Sequence, residues 1–369
     1  MQKKFIKLIF TNIFVFIFFI IFLEIISGYY ISLNTNRRSR LNIKHLIISN
    51  LEKKKNIYRN NRMENIIAQT EVNKNIYPSY LYDPMAHKIN NSNFWFSHPK
   101  NAEIIYCDEG SGLIKFKTNE LGLRETSLQD LNSPIDILVL GDSFVEGACI
   151  EKPFDIPSQL AKSNKKNVLN LGRSGSGPLF QLALLKEILV YKNSGYLTFN
   201  KDTELIWVIF SGNDLKNLAY EKITILQRYI DDYNINYFEK LKLSNIEFNK
   251  FFEEILTDPI NNKNIGQKGW TLNTESIEAK IALTDFERIS NEIKDISLKN
   301  NLDLKIISLT NHKSKSKQMM KKTDNLIKKL CDTHNIKCST VNLRKINKTN
   351  RGHLDEKGYE KLSEIINSL

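Results

Sequence analysis

The chain predicts an α/β architecture, a central parallel sheet covered by helices on both faces, with a transmembrane helix in front of it. Three observations carry this expectation. From residue 135 onward, short apolar runs ("IDILVLG", "NVLNLG", "ELIWVIFSG", "LDLKIISLT", "KCSTVNL") alternate with helical patterns. Continuous apolar runs suit strands buried on both faces, the environment of a parallel sheet. The first three runs each end in an abrupt polar or glycine-rich cluster, and such sheets bind ligands beyond the carboxyl ends of their strands. Finally, residues 8–23 are apolar except for Thr11 and Asn12.

With its flanks, that N-terminal segment reaches the ~20 residues a bilayer-crossing helix needs. It is apolar on every face, unlike an ordinary core-packing helix. No small-residue cleavage signal follows, so residues 1–33 are expected to be an uncleaved membrane anchor. Glu24, Tyr29 and Tyr30 suit the far interface. Lys3, Lys4 and Lys7 favour an inside N-terminus, while Arg37, Arg38 and Arg40 oppose it. The expectation is a single-pass protein with its body periplasmic or otherwise extracytoplasmic.

Residues 34–130 form an irregular accessory region. Within it "GLIKFKTNELGLRE" alternates like a strand and ends in a turn, and the proline- and aromatic-rich stretch from Tyr77 to Lys100 reads as extended loop. Residues 131–369 form the α/β domain. It is interrupted over about 216–272 by an aromatic-rich insertion. Leaving from a strand's carboxyl end, the insertion is placed either to cover a site or to pack on the N-terminal region.

The net charge of +12 comes mostly from lysines spread along the whole chain. A solvated, Lys-rich surface accounts for it more simply than a patch for anionic lipid or polysaccharide. Zinc-finger spacing, aromatic-interleaved basic stripes and RNP-like motifs are missing, which argues against nucleic acid as a partner. The four cysteines, Cys107, Cys149, Cys331 and Cys338, make no C-x-x-C pair, so no metal is expected, and no cofactor motif occurs. Cys331 and Cys338 flank a helix-to-strand turn. They are read as two small buried residues, with a short-loop disulfide in an oxidising compartment as the alternative.

The strand ends carry the chemistry. The first gives "LVLGDSFVEG", with Ser143 directly after the strand. A serine at such a turn exposes its hydroxyl, although "GDS" alone is equally a helix cap. Val145 excludes the G-x-S-x-G elbow. The second gives "NLGRSGSGP", whose glycines permit close backbone approach: a phosphate cradle, an oxyanion donor or a plain tight turn. The P-loop lysine and the dinucleotide spacing are both missing. The third gives "IFSGNDL": Asn213 offers a side-chain amide suited to an oxyanion, and Asp214 reads as a helix cap. Near the C-terminus, "NRGHLDEKGYEKL" puts His353 after the fifth strand and before a helix, where it can fold back over the same sheet edge.

These blocks, "GDS", "NLGRSGSG", "SGND" and "H-x-x-x-x-G", occur in the order and spacing of the SGNH/GDSL hydrolases, which residues 135–369 resemble. The anchor and "TNELGLRE" look like membrane-attached bacterial members of that class. The resemblance implies a flavodoxin-like three-layer sandwich (the SGNH hydrolase fold). It makes Ser143 the nucleophile and His353 the general base. The N–H groups of Ser143 and Gly175 and the side chain of Asn213 become the oxyanion hole. One departure stands out. The family usually has an aspartate three residues before the histidine, and here that position is Asn350. Either Asn350 or a carbonyl orients the ring, another acid substitutes, or the protein is a degenerate scaffold that binds glycan or a partner. Asp355 reads as a helix-start residue.

The expected activity is therefore a serine esterase acting on acyl esters, with O-acetyl groups of cell-envelope polysaccharide as substrate. The expected partner is an acylated carbohydrate or lipid. An O-acyltransferase using the same site is the alternative, since the resolving nucleophile is chosen by pocket shape.

Overall fold

The computed structural model describes residues 76–78, 96–107, 114–222, 225–231, 277–310, 317–346 and 353–369. The expected membrane anchor, Asn350 and most of the 216–272 insertion lie outside the described residues. No described helix is long and apolar enough to cross a membrane. By its internal packing Val72–Leu369 is one compact unit.

All five apolar runs form strands of one sheet: β4 (Ile135–Gly141), β5 (Val168–Gly172), β6 (Phe199–Phe210), β7 (Asp303–Thr310) and β8 (Lys337–Asn342). Their order is β5-β4-β6-β7-β8, and every neighbouring pair is parallel. Because side chains alternate along a strand, each strand feeds two separate cores. Leu138, Leu140, Leu205, Trp207, Ile209 and Ile306 join one, packed by α3 (Pro178–Asn193), α4 (Asp214–Glu221), α5 (Arg228–Asp231), α6 (Ile277–Lys299) and α7 (Lys317–His334). Ile137, Val139, Ile206, Val208, Ile307 and Leu309 join the other, under α1 (Ser143–Glu146), α2 (Ile156–Asn164) and α8 (Glu356–Asn367). This is the three-layer sandwich the sequence implies. Each such fully buried aliphatic side chain contributes roughly 1.5–3 kcal/mol relative to exposure.

Local chemistry sets the helix ends. Asp155 caps α2 by accepting the Ser158 N–H at 2.9 Å, and Asp355 caps α8 by accepting that of Gly358 at 2.9 Å, as expected of a helix-start residue. α3 opens at Pro178 without a cap of its own. The Glu221 carboxylate, at the end of α4, takes the N–H groups of Gly177, Leu179 and Phe180 instead. Asp214 departs from its expected capping role. Its Oδ2 reaches back to accept the Phe210 N–H at 2.9 Å, closing the turn out of β6.

Cys331 and Cys338 are disulfide-bonded, which corrects the expectation of two separate thiols. The turn between α7 and β8 brings their Cα atoms to 6.2 Å, within disulfide reach. Cys149 is disulfide-bonded as well.

Ahead of the α/β layers lies a small sheet of β1 (Ile76–Pro78), β2 (Glu103–Cys107) and β3 (Ile114–Lys117), in that order. β3 is the alternating strand expected from sequence. In the turn after it, Asn119 Oδ1 accepts the N–H groups of Leu121 and Leu123 at 2.9 and 3.1 Å. Phe96, Leu121 and Leu123 pack into the same core as α3, and Phe96 lies 5.2 Å from the Phe180 ring, centroid to centroid.

Candidate active site

The strand order has its switch point at β4, and sheets of this kind bind ligands beyond the carboxyl ends of the strands there. Ser143 leaves β4 there, the 173–177 loop leaves β5, and Asn213 leaves β6. Ser143 opens the short helix α1 and is half-buried. Gly172 lets α1 come close: a Cβ there would sit 2.1 Å from the Glu146 amide nitrogen. Asn170, buried within β5, donates to the Val145 carbonyl at 3.2 Å and fixes the same approach.

His353 returns from a point 210 residues later in the chain to place its Nε2 3.1 Å from Ser143 Oγ. Its ring tilts against Phe144, at 5.4 Å between centroids, and Phe144 in turn packs on Phe210 at 5.1 Å. Tyr359, one turn into α8, donates its hydroxyl hydrogen to the Ala148 carbonyl at 3.2 Å. The helix carrying the histidine is thereby tied to the loop that follows the serine. A hydroxyl within hydrogen-bond reach of an imidazole is the geometry of an activated nucleophile.

Gly175 has φ +79°, a left-handed conformation that glycine adopts without strain. Asn213 is half-buried, and its Oδ1 has no hydrogen-bond partner. Asp142, beside Ser143, is wholly buried and accepts the Phe144 N–H at 3.0 Å. Burial pushes its carboxyl up to about 6, while the Phe144 N–H, His353 and Asn213 pull the other way. Asp214 is raised too, by burial first and by the Asp142 charge second. The structure thus brings Ser143 and His353 together and sets Gly175 and Asn213 on the strand ends flanking them. Asn350, the expected orienter, lies outside the described residues. Among those residues, no group of histidines, cysteines and acids could hold a metal ion.

Sequence reasoning missed a buried polar layer beside this edge. Glu146, the last residue of α1, is 1% exposed. Its Oε1 lies 2.8 Å from His98 Nε2 and 3.3 Å from Arg173 Nη1, and its Oε2 accepts the Ser174 N–H at 2.8 Å. Arg173 also meets His98 directly, and Tyr106 bonds the Ser174 hydroxyl. Burial alone would raise the Glu146 carboxyl, but His98, Arg173 and Ser174 together hold it well below the carboxylate range. His98 is pushed down to about 4, by burial first and Arg173 second, so it is neutral at physiological pH. Arg124, from the "TNELGLRE" stretch, is likewise buried. It donates to the carbonyls of Glu146, Gly147 and Ile150 at 3.0, 2.8 and 2.8 Å. The one available signal was the aromatic setting of His98 in "FWFSHPK"; its partners lie 48 or more residues away.

The fold and strand-end residues give the chain an SGNH/GDSL-type α/β architecture with a serine–histidine pair at its binding edge. No sequence-family profile and no curated protein sequence matches it. Solved structures that match include a protein described as lipolytic and of the G-D-S-L family from Desulfitobacterium hafniense DCB-2. It is 11% identical, covering 63% of this chain and 97% of its own, with a TM-score of 0.36. A carbohydrate esterase matches at 12% identity over 74% of this chain and 84% of its own, TM-score 0.37. AlinE4, an SGNH-hydrolase family esterase, matches at 13% identity over 65% and 96%, TM-score 0.32. At these values the likenesses say nothing about this chain's substrate.

Proposed function

We propose that this chain is a serine esterase in which Ser143 attacks an acyl ester and His353 is the base. The observation that carries the reading is the 3.1 Å contact between Ser143 Oγ and His353 Nε2 at the carboxyl edge of the parallel sheet. In the proposed reaction His353 Nε2 removes the Ser143 proton as Oγ bonds to the ester carbonyl carbon. The carbonyl oxygen becomes an oxyanion, held by the N–H groups of Ser143 and Gly175 and the amide of Asn213. Collapse breaks the ester C–O bond, the alcohol leaves with the proton from His353, and water resolves the acyl-enzyme by the same route. Asn350 is the residue this reading assigns to orienting the His353 ring, in place of the usual acid.

The substrate in this reading is an O-acetylated envelope polysaccharide, reached by a domain held outside the membrane on its N-terminal helix. The apolar run at residues 8–23 supports the anchor. The Cys331–Cys338 disulfide and a bonded Cys149 support an oxidising, extracytoplasmic setting. The test is fluorophosphonate labelling of the full-length chain beside Ser143→Ala and His353→Ala. Labelling of the wild type that both variants abolish supports the esterase reading. A folded wild type that does not label refutes it and leaves a binding scaffold. Turnover of an acetyl ester faster with an added sugar acceptor than with water would instead make the protein an O-acyltransferase.

A further inference from the structure

We propose that Glu146 is a positioning residue for the oxyanion loop, and that His98 makes the segment ahead of the α/β domain a working part of the active site. The inference rests on the esterase reading above. Residues 173–177 connect β5 to α3, and Gly175 lies at their centre. The Arg173 N–H bonds the Gly141 carbonyl at 3.0 Å, and the Ser176 N–H bonds the Arg173 carbonyl at 3.0 Å. Between them, the Ser174 N–H is taken by Glu146 Oε2 at 2.8 Å. None of these bonds uses the Gly175 amide. The loop is thus tied on both sides of the group that is to receive the oxyanion, and Glu146 supplies the tie immediately before it.

The same carboxylate belongs to the helix that Ser143 opens, three residues on. Glu146 therefore links the nucleophile's own helix to the oxyanion loop, and displacing it changes the distance between attacking atom and donor. Holding such a tie ionised inside the protein requires compensation, because an unpaired buried carboxylate is strongly disfavoured. Arg173 supplies the balancing charge at 3.3 Å. His98, only 4% exposed, packs its neutral ring against both at 2.8 Å from Glu146, and edge-on to Phe116 at 5.3 Å. Tyr106 steadies the Ser174 hydroxyl from the same side. His98, Tyr106 and Phe116 thus close the back of the loop.

The experiment measures p-nitrophenyl acetate hydrolysis and fluorophosphonate labelling by the full-length chain, with folding checked by thermal denaturation. Glu146→Ala is expected to lower kcat by about 10–100-fold, because a misplaced donor approaches the loss caused by a missing one. KM and the pH profile of kcat/KM stay the same, since the dyad is untouched. Glu146→Gln keeps one oxygen for the Ser174 N–H and recovers part of the rate, and it carries the test if the alanine variant does not fold. In combination with Gly175→Ala the Glu146→Ala loss is less than multiplicative, because both act through the same amide; with Asn213→Ala it multiplies in full. A folded, labelling-competent Glu146→Ala protein within about twofold of wild-type kcat would overturn the proposal, as would a fully multiplicative loss with Gly175→Ala. A wild type that neither labels nor hydrolyses overturns the esterase reading itself, a different and separately visible result.

Discussion

Acidification probes the buried polar layer most directly. His98 is held at about 4, against an ordinary 6.5, by burial and then by Arg173, with Glu146 opposing and Arg124 adding to the depression. In the unfolded chain the imidazole takes up a proton below 6.5, and in the folded chain it does not. The unfolded state therefore binds more protons between those two values, so stability falls as pH drops through that window. The full gap is worth roughly 3 kcal/mol, of which about 2 kcal/mol is lost by about pH 5. Glu146, held below its ordinary 4.5, adds a further loss at lower pH still. The assay is urea denaturation of wild type and His98→Gln at about pH 7.5 and about pH 5, taking the difference between the two proteins so that the other histidines cancel. Wild type should lose about 2 kcal/mol more than the variant across that interval. Equal losses would refute a neutral, buried His98.

Two further outcomes follow from groups around Ser143 and the sheet edge. Arg124→Met should destabilise by about 3–5 kcal/mol, seen as a lowered denaturation midpoint. It strands Asp155, 3.4 Å from the guanidinium, and the three carbonyls that Arg124 satisfies. A loss below about 1 kcal/mol would mean that water replaces the guanidinium without penalty. Replacing both Cys331 and Cys338 by serine opens a cross-link spanning a sequence separation of 7. It should cost about 2 kcal/mol, read as a variant Tm below that of the wild type without reductant, a gap that closes when reductant is added to both.

Much of the fold was legible because it is written in local pattern. β4, β5 and the inner residues of β6 and β7 are buried runs without alternation, which two-sided burial explains, while β8 (KCSTVN) is only partly buried at the sheet edge. β3 alternates and forms where alternation predicts it. Asp355 caps its helix, as a short polar side chain ahead of a helical pattern does. Asp214 shows the limit of that rule. The same residue type, here the first residue of its helix, turned backward to Phe210, because the tight exit from β6 left an amide within reach. The disulfide was undecided in sequence for a similar reason: spacing permits it, but only the path of the turn sets the Cα separation.

By itself the sequence determined the parallel α/β layers, the place to look for chemistry, and the candidates Ser143, Asn213 and His353, since strand period and residue type at strand ends are local properties; Gly175 was singled out only by the resemblance to the SGNH/GDSL blocks. The tertiary structure alone decided that His353 meets Ser143 across 210 residues. It also decided that Glu146, Arg173 and His98 share one buried site behind the 173–177 loop. A glutamate on a short helix and a histidine among aromatics carry no mark of each other in the chain. They become partners because burial makes an unpaired charge too costly, and only the folded backbone brings the compensating groups within 3 Å or so.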